Sequence, residues 1–350
     1  MLHQKKSRPG RFAGGCLVLW IIGCIFGCGF REEVLLTGQT MGTTYHVKVV
    51  AGHGVDTEDL QKRMDAYLEQ INQSMSIFSK DSEISRFNAM KETGQKMVVS
   101  KGFYDVMVLA GTLYERTDGA WDGTLGPLIN LWGFGSSVHG RDVPTPEMIH
   151  GRLARVGFNQ IEIHEDRSLS KRHSDVVLNL SSVAKGFAVD EIVRLIKSRG
   201  IEDCLVEIGG EVRASGRRAD GSFWKVGINM PRKDAPADLV YRAMVLENAA
   251  VATSGGYRNY FEKHGKSYSH IIDPRTGYPV QCNVVSASVL ADSCALADGL
   301  ATSLMVMGPE KGLVLINSLP GVECCIVIES KDGRLEDFVS DGFELLQTAA

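Results

Sequence analysis

Little in this chain of 350 residues points toward zinc, disulfide stapling or nucleic acid. No C-x-x-C pair recurs, so a structural zinc site has no ligand pattern to build on. The formal net charge of -4 leaves no basic surplus for a phosphate backbone. Gly133-x-Gly135 has no third glycine and follows no clear strand, which excludes a dinucleotide fingerprint there. Beyond the N-terminal segment the chain also lacks internal repeats, low-complexity tracts and a Pro/Ser-rich linker. One continuous domain is therefore the simplest expectation. Hydrophobic residues at 44% and charged residues at 23% are ordinary globular values.

What the chain does have begins with a leader. Lys5, Lys6, Arg8 and Arg11 form a basic region ahead of an apolar run from Leu17 to Phe26. That run is too short to span a bilayer and fits a signal-peptide core. Gly27-Cys28-Gly29 follows, and the cysteine resembles the lipidated residue of a bacterial lipoprotein, with Cys24 as the alternative. The expected organisation is a signal peptide over 1–27, a tether over 28–33 and a single domain over 34–345. The body is then expected outside the cytoplasmic membrane, in the bacterial cell envelope, tethered through Cys28 and facing the periplasm. Cys204, Cys282, Cys294, Cys324 and Cys325 remain, an odd number with no framework spacing, and read as buried small hydrophobes.

Periodicity places the elements. Leu60, Met64, Leu68, Ile71 and Met75 give one apolar face over Thr57–Phe78, and Ser100 caps a second amphipathic helix that stops near Gly119. Tyr45–Val49 alternates as a strand. Helices are also expected from Thr145-Pro146 to Leu153 and over Ser182–Lys197. Strands are expected at Gln160–His164, Val176–Leu180, Asp203–Ile208, Val212–Gly216, Phe223–Ile228, Val284–Leu290, Glu323–Glu329 and Leu335–Val339. Ala250–Tyr257 and Tyr268–Gly277 look like adjacent strands or strand ends. Antiparallel runs with helices between them predict an α+β fold, a mixed, largely antiparallel sheet with flanking helices.

Three stretches carry chemistry. In Ala291–Gly308, Asp292 is the expected N-cap, Leu296, Leu300 and Leu304 form one face, and Asp298 and Thr302 come off another face one turn apart. A carboxylate and a hydroxyl among small residues suit a hard cation such as Mg²⁺ or Ca²⁺, although a solvated acid and a back-bonded threonine would look the same. Thr117–Leu128 sets the exposed-looking Trp121 beside Asp122 in a glycine-rich loop. Leu180–Asp190 runs from a strand into a helix N-terminus, where free N–H groups and Lys185 could meet an anion. His270, just ahead of the turn Asp273–Gly277, is a titratable group near neutrality and able to take a proton.

Taken together, Met41–Tyr45, Asp81–Asn88, Asp118–Asp122, Ala184-Lys185-Gly186, Gly209-Gly210-Glu211, Thr253-Ser254-Gly255, His270–Gly277 and Ala297-Asp298-x-x-Ala301-Thr302 occur in the order seen in the FAD:protein FMN transferase family, ApbE. The chain resembles that family over nearly all of its length after the leader. The resemblance implies a Mg²⁺-dependent reaction that splits FAD at its pyrophosphate, attaches FMN to a threonine or serine of an acceptor protein and releases AMP. It also implies Asp298 and Thr302 as metal ligands with a backbone oxygen of Ala184. Met41, Phe78, Ala120, Trp121, Asp122, Ser181, Lys185 and Ile272 would line the FAD site, and His270 would be the base. Membrane redox-complex subunits are the implied acceptors. Trp121 stands where the family more often has Phe, Gly123 where Pro is common, and Gly256 where an Asp or Asn is frequent. An FAD pyrophosphatase and a non-catalytic flavin-binding lipoprotein are the competing readings.

Overall fold

The computed structural model describes residues 31–52, 54–135, 142–236, 238–256, 259–280 and 283–343. The leader, with Cys24 and Cys28, lies outside them. Eight strands form one sheet in which spatial order follows chain order: β1 (Glu32–Thr40), β2 (Thr43–Ala51), β3 (Cys204–Ile208), β4 (Glu211–Ser215), β5 (Ala250–Gly255), β6 (Val284–Ala291), β7 (Glu323–Glu329) and β8 (Leu335–Val339). Every neighbouring pair is antiparallel, which is the largely antiparallel α+β architecture expected from the sequence. β1 starts at Glu32, two residues ahead of the boundary expected at 34.

Among the described residues seven α-helices accompany the sheet: α1 (Thr57–Met75), α2 (Glu83–Ala89), α3 (Lys101–Arg116), α4 (Gly126–Leu131), α5 (Pro146–Leu153), α6 (Ser181–Ser198) and α7 (Cys294–Asn317). Their starts follow capping chemistry. Asp56, Ser82, Ser100 and Thr145 each accept the N–H three residues on. In β2, Tyr45, Val47 and Val49 point into the core while His46 and Lys48 are exposed, the period of two that a half-buried strand requires. Helices α1, α3, α6 and α7 share the main core with one face of the sheet. A separate hairpin, Trp224–Asn229 with Val240–Leu246, packs through Trp224, Ile228, Met244 and Leu246 with Val212 and Val251.

α7 is the one helix among the described residues long and apolar enough to cross a membrane. Its buried Leu300, Leu304 and Ile316 belong to the main core, and this accounts for its hydropathy. The helix is interrupted at Gly308 (φ 74°), where the sequence reading ends it; Pro309 then opens a further stretch, as a proline at a first helical position does.

Three local expectations are corrected. Val176–Leu180 forms no strand. The Asn88 side chain stands in for a partner strand, donating to the Leu178 carbonyl at 2.9 Å and accepting its N–H at 2.7 Å. Phe223–Ile228 does not extend the main sheet, because its partner is Val240–Leu246. Tyr268 belongs to the hairpin of Tyr260–Lys263 with Lys266–Ser269, while β5 pairs with β4 and β6, so of the two expectations for these segments, adjacent strands or strand ends, the first does not hold.

Candidate active site

Beside the N-terminal turns of α6 and the first half of α7 lies a cavity of about 430 Å³. Its walls come from the loop before α4 (Ala120, Trp121, Asp122), the start of α6 (Ser181, Lys185), the start of β4 (Glu211), the end of β5 (Ser254), His270, Ile272, and α7 (Asp298, Thr302). The sequence places these residues up to 182 positions apart (from Ala120 to Thr302); the fold brings them to one space.

The α6–α7 crossing sets the geometry. A Cβ on Gly186 would lie 2.4 Å from the Cys294 carbonyl oxygen, so only glycine lets the two backbones approach this closely. The Gly186 N–H donates to Asp298 Oδ2 at 3.1 Å. Asp190, one turn further along α6, accepts the N–H groups of Cys294 and Ala295, each at 3.0 Å, and the Ser293 hydroxyl at 2.8 Å. The Arg213 guanidinium donates to the same carboxylate. The N-cap of α7 is therefore Ser293 rather than Asp292, with Asp190 completing the cap from the neighbouring helix. Asp190→Ala is expected to cost about 3 kcal/mol, since buried amides lose their acceptor and Arg213 its counter-charge. Urea denaturation should show a lower midpoint with an unchanged slope.

Asp298 and Thr302 do lie one turn apart on a single face, both lining the cavity. Thr302 Oγ1 is 3.1 Å from Ser254 Oγ. Burial pushes the Asp298 carboxyl pKa upward, opposed by the Lys185 charge and the Gly186 N–H. Ala184 is buried one residue before Lys185 and does not itself line the cavity.

The aromatic loop differs from its sequence reading. Trp121 is 1% exposed, its Nε1–H donates to Ser182 Oγ at 3.0 Å, and its ring meets Phe158 edge-on. Asp122 is committed to the loop: Oδ1 accepts the Thr124 N–H at 2.7 Å and the Thr124 hydroxyl, and Oδ2 accepts the Phe158 N–H at 3.1 Å. Burial raises its pKa against those hydrogen bonds. Ala120, Ser181 and Ile272 line the cavity with them. Met41 and Phe78 do not. Met41 sits in the β1–β2 turn with φ 50°, and Phe78, 77% exposed, follows the end of α1.

His270 Nδ1 lies 3.0 Å from the Asn259 carbonyl oxygen, to which the His270 backbone N–H also donates. A carbonyl can only accept, so Nδ1 carries the proton and Nε2 keeps its lone pair. Burial lowers the imidazole pKa, against the raising effect of that hydrogen bond, and keeps the ring neutral. The His270 ring meets Phe134 edge-on, and Phe134 packs on Phe261. Phe261 stacks on Tyr268 and Tyr268 on Trp132, whose Nε1–H donates to the Gly277 carbonyl at 2.9 Å and ties down the turn that follows His270.

Glu211 entered the sequence reading only within the motif Gly209-Gly210-Glu211, with no site role; the two glycines, with φ of 60° and 101°, turn the chain into β4. It is 3% exposed. Lys185 Nζ donates to its Oε1, and its Oε2 has no partner, the one such buried side-chain atom among the described residues. Burial and the Asp298 charge push Glu211 up to about 8, against the pull of Lys185. Two carboxyl groups, Asp298 and Glu211, thus share the cavity with one ammonium, and one of their oxygens, Glu211 Oε2, has no partner. Hard oxygen atoms in that setting fit a Mg²⁺-type cation. No group of three or more His, Cys, Asp or Glu among the described residues is arranged for a metal. A site made of a carboxylate, a hydroxyl and a backbone carbonyl would not form such a group.

Residues 41–326 match the ApbE family model. The chain is 42% identical over 316 residues to the FAD:protein FMN transferase of Vibrio cholerae serotype O1, covering 89% of this chain and 92% of that protein. It is 40% identical over 309 residues to the Haemophilus influenzae protein of the same name, covering 87% and 89%. Among solved structures, the flavin transferase ApbE from Vibrio cholerae superposes with a TM-score of 0.81 at 40% identity, over 89% of this chain and 98% of that one. The Thermotoga maritima ApbE protein superposes at 0.77 with 28% identity, over 89% and 97%.

Proposed function

The chain belongs to the ApbE family, and from that membership and the cavity we infer an FAD:protein FMN transferase that splits FAD, moves FMN onto a Thr or Ser hydroxyl of an acceptor protein and releases AMP. The observation that carries the reading is the cavity uniting Asp298, Thr302, Lys185 and a His270 whose Nδ1 is turned to the Asn259 carbonyl. Asp298, the Thr302 hydroxyl and the Ala184 carbonyl would hold Mg²⁺, and bound there it would neutralise charge on the diphosphate oxygens. Lys185 adds a positive charge against the same group. Its place at the start of α6 puts it where the helix dipole also favours an anion.

His270 Nε2 takes the proton of the acceptor hydroxyl. The acceptor oxygen forms its bond to the phosphorus of the FMN half, the P–O bond to the AMP phosphate breaks, and AMP leaves with that electron pair. The enzyme's contribution is positioning and charge, because phosphoryl transfer asks for little covalent help. Trp121 and Ile272 offer apolar wall, and Asp122 keeps the Trp121 loop in shape. Met41 and Phe78, outside the cavity, would meet only a part of FAD that extends beyond it.

The leader supports attachment through a lipidated Cys28 to a membrane of the bacterial envelope, with the domain in the periplasm. Acceptors would then be membrane redox-complex subunits. Incubation with FAD, Mg²⁺ and such a subunit should give a fluorescent acceptor band that survives denaturation, and mass spectrometry should find one added FMN on a Thr or Ser. AMP released at full rate without any acceptor would instead identify a pyrophosphatase. Stoichiometric bound FAD without AMP would identify a binding protein.

A further inference from the structure

We propose that Lys185 is the resident counter-cation of the metal-free site: Glu211 holds its ammonium near Asp298, and a divalent cation loading at Asp298 displaces it toward the FAD diphosphate. The inference rests on the reading of the cavity given above and adds a competition within it.

Lys185 follows Ala184 and precedes Gly186, whose N–H holds the Asp298 carboxylate, so the lysine stem leaves α6 one residue from that contact. Its Nζ is taken by Glu211 Oε1. Lys185 is the only Lys or Arg among the described residues lining the cavity. Two carboxyl groups, Asp298 and Glu211, share the cavity with this one ammonium, so the site holds no surplus of positive charge for a diphosphate. A divalent cation supplies that surplus and repels Lys185 from Asp298. The side chain can respond, since its ammonium is a point charge on a flexible four-carbon stem and keeps 30% exposure. Gly209 leaves room beside it: a Cβ there would come within 3.3 Å of Lys185 Cδ. Glu211, buried at the start of β4, is the more restricted half of the pair.

The test is Mn²⁺ binding without flavin, by calorimetry and by electron paramagnetic resonance, in wild type, Lys185→Met and Glu211→Gln. Lys185→Met should bind Mn²⁺ about tenfold more tightly, the scale set by removing one nearby positive charge. The same variant should bind FAD more weakly in the presence of Mn²⁺, read by flavin fluorescence quenching. Glu211→Gln should bind Mn²⁺ about tenfold more weakly, having lost a negative charge and freed Lys185 to compete. Thermal unfolding checks each variant, with Lys185→Gln as the substitute should the methionine variant misfold. Unchanged or weaker Mn²⁺ affinity without Lys185 overturns the counter-cation role while leaving the transferase reading intact. Wild type that takes up neither Mn²⁺ nor FAD, alone or together, removes that reading and the competition with it.

Discussion

Asp298→Ala is expected to lower flavin transfer by about 10³-fold or more while leaving the folded state within about 1–2 kcal/mol of wild type. The two halves of this expectation come from the same carboxylate. It lines the cavity and would supply the one charged protein ligand to the cation, so its loss removes the charge that draws Mg²⁺ in. Structurally it holds little: one backbone N–H, from Gly186, at 3.1 Å. Burial already raises its pKa, so the ionised form is costly to the folded protein, and removing it offsets part of the lost hydrogen bond. Transfer should be followed by the fluorescence of the denatured acceptor band and stability by urea titration. Asp298→Asn, which keeps the shape and an acceptor for Gly186, should lose transfer nearly as completely. Transfer at ordinary Mg²⁺ in either variant would show that the cation is held elsewhere.

The contrast with Asp122 shows what the sequence could and could not supply. Both acids sit beside glycines and small residues, and both read as candidate site groups. Local spacing sufficed for Asp298, because a helix fixes where residue i+4 points, and Thr302 is where that rule puts it. Asp122 lies in a loop, where no period applies, and its oxygens are occupied by Thr124 and by Phe158, 36 positions away. Trp121 read as exposed because its loop is rich in glycine and acids. Its burial depends on Ser182 and Phe158, which no local window contains. Glu211 drew no site role for a related reason: its motif, Gly209-Gly210-Glu211, does not show locally what the acid meets. Only the tertiary arrangement shows that it has one oxygen on Lys185 and the other on nothing.

Strands follow the same division. β2 and β7 were legible because alternation or a continuous apolar run marks a strand that one sheet buries. Ser168–Lys171 has no strand signal, three of its four residues being polar, yet all four are buried in a small sheet where it pairs with Ile161–Ile163 on one side and Met97–Val98 on the other. Lys171 is held there by the Asn88 and Met90 carbonyls. Val176–Leu180 shows the converse error. Its sequence suits a strand, but an asparagine side chain satisfies the backbone that a neighbouring strand would have paired.

His270→Ala should reduce kcat for transfer by about 10³-fold and change the dissociation constant for FAD by no more than about twofold. The separation of the two effects follows from its place. The imidazole is fixed through Nδ1 on the Asn259 carbonyl, which leaves Nε2 for a proton and gives the ring no bond that a ground-state flavin would need. Equal losses in binding and transfer would make it a packing residue between Phe134 and the cavity. The pH profile gives an independent check, and its sign is fixed by burial. Desolvation lowers the His270 pKa, so the neutral, proton-accepting form persists to more acid pH than in a free imidazole. The acid limb of kcat/KM should therefore fall below the ordinary histidine value of about 6.5, with activity retained above it. In His270→Gln that limb should vanish from whatever transfer remains. A limb that stays in the glutamine variant would assign the proton to another group, and with it the step that makes the acceptor oxygen a nucleophile.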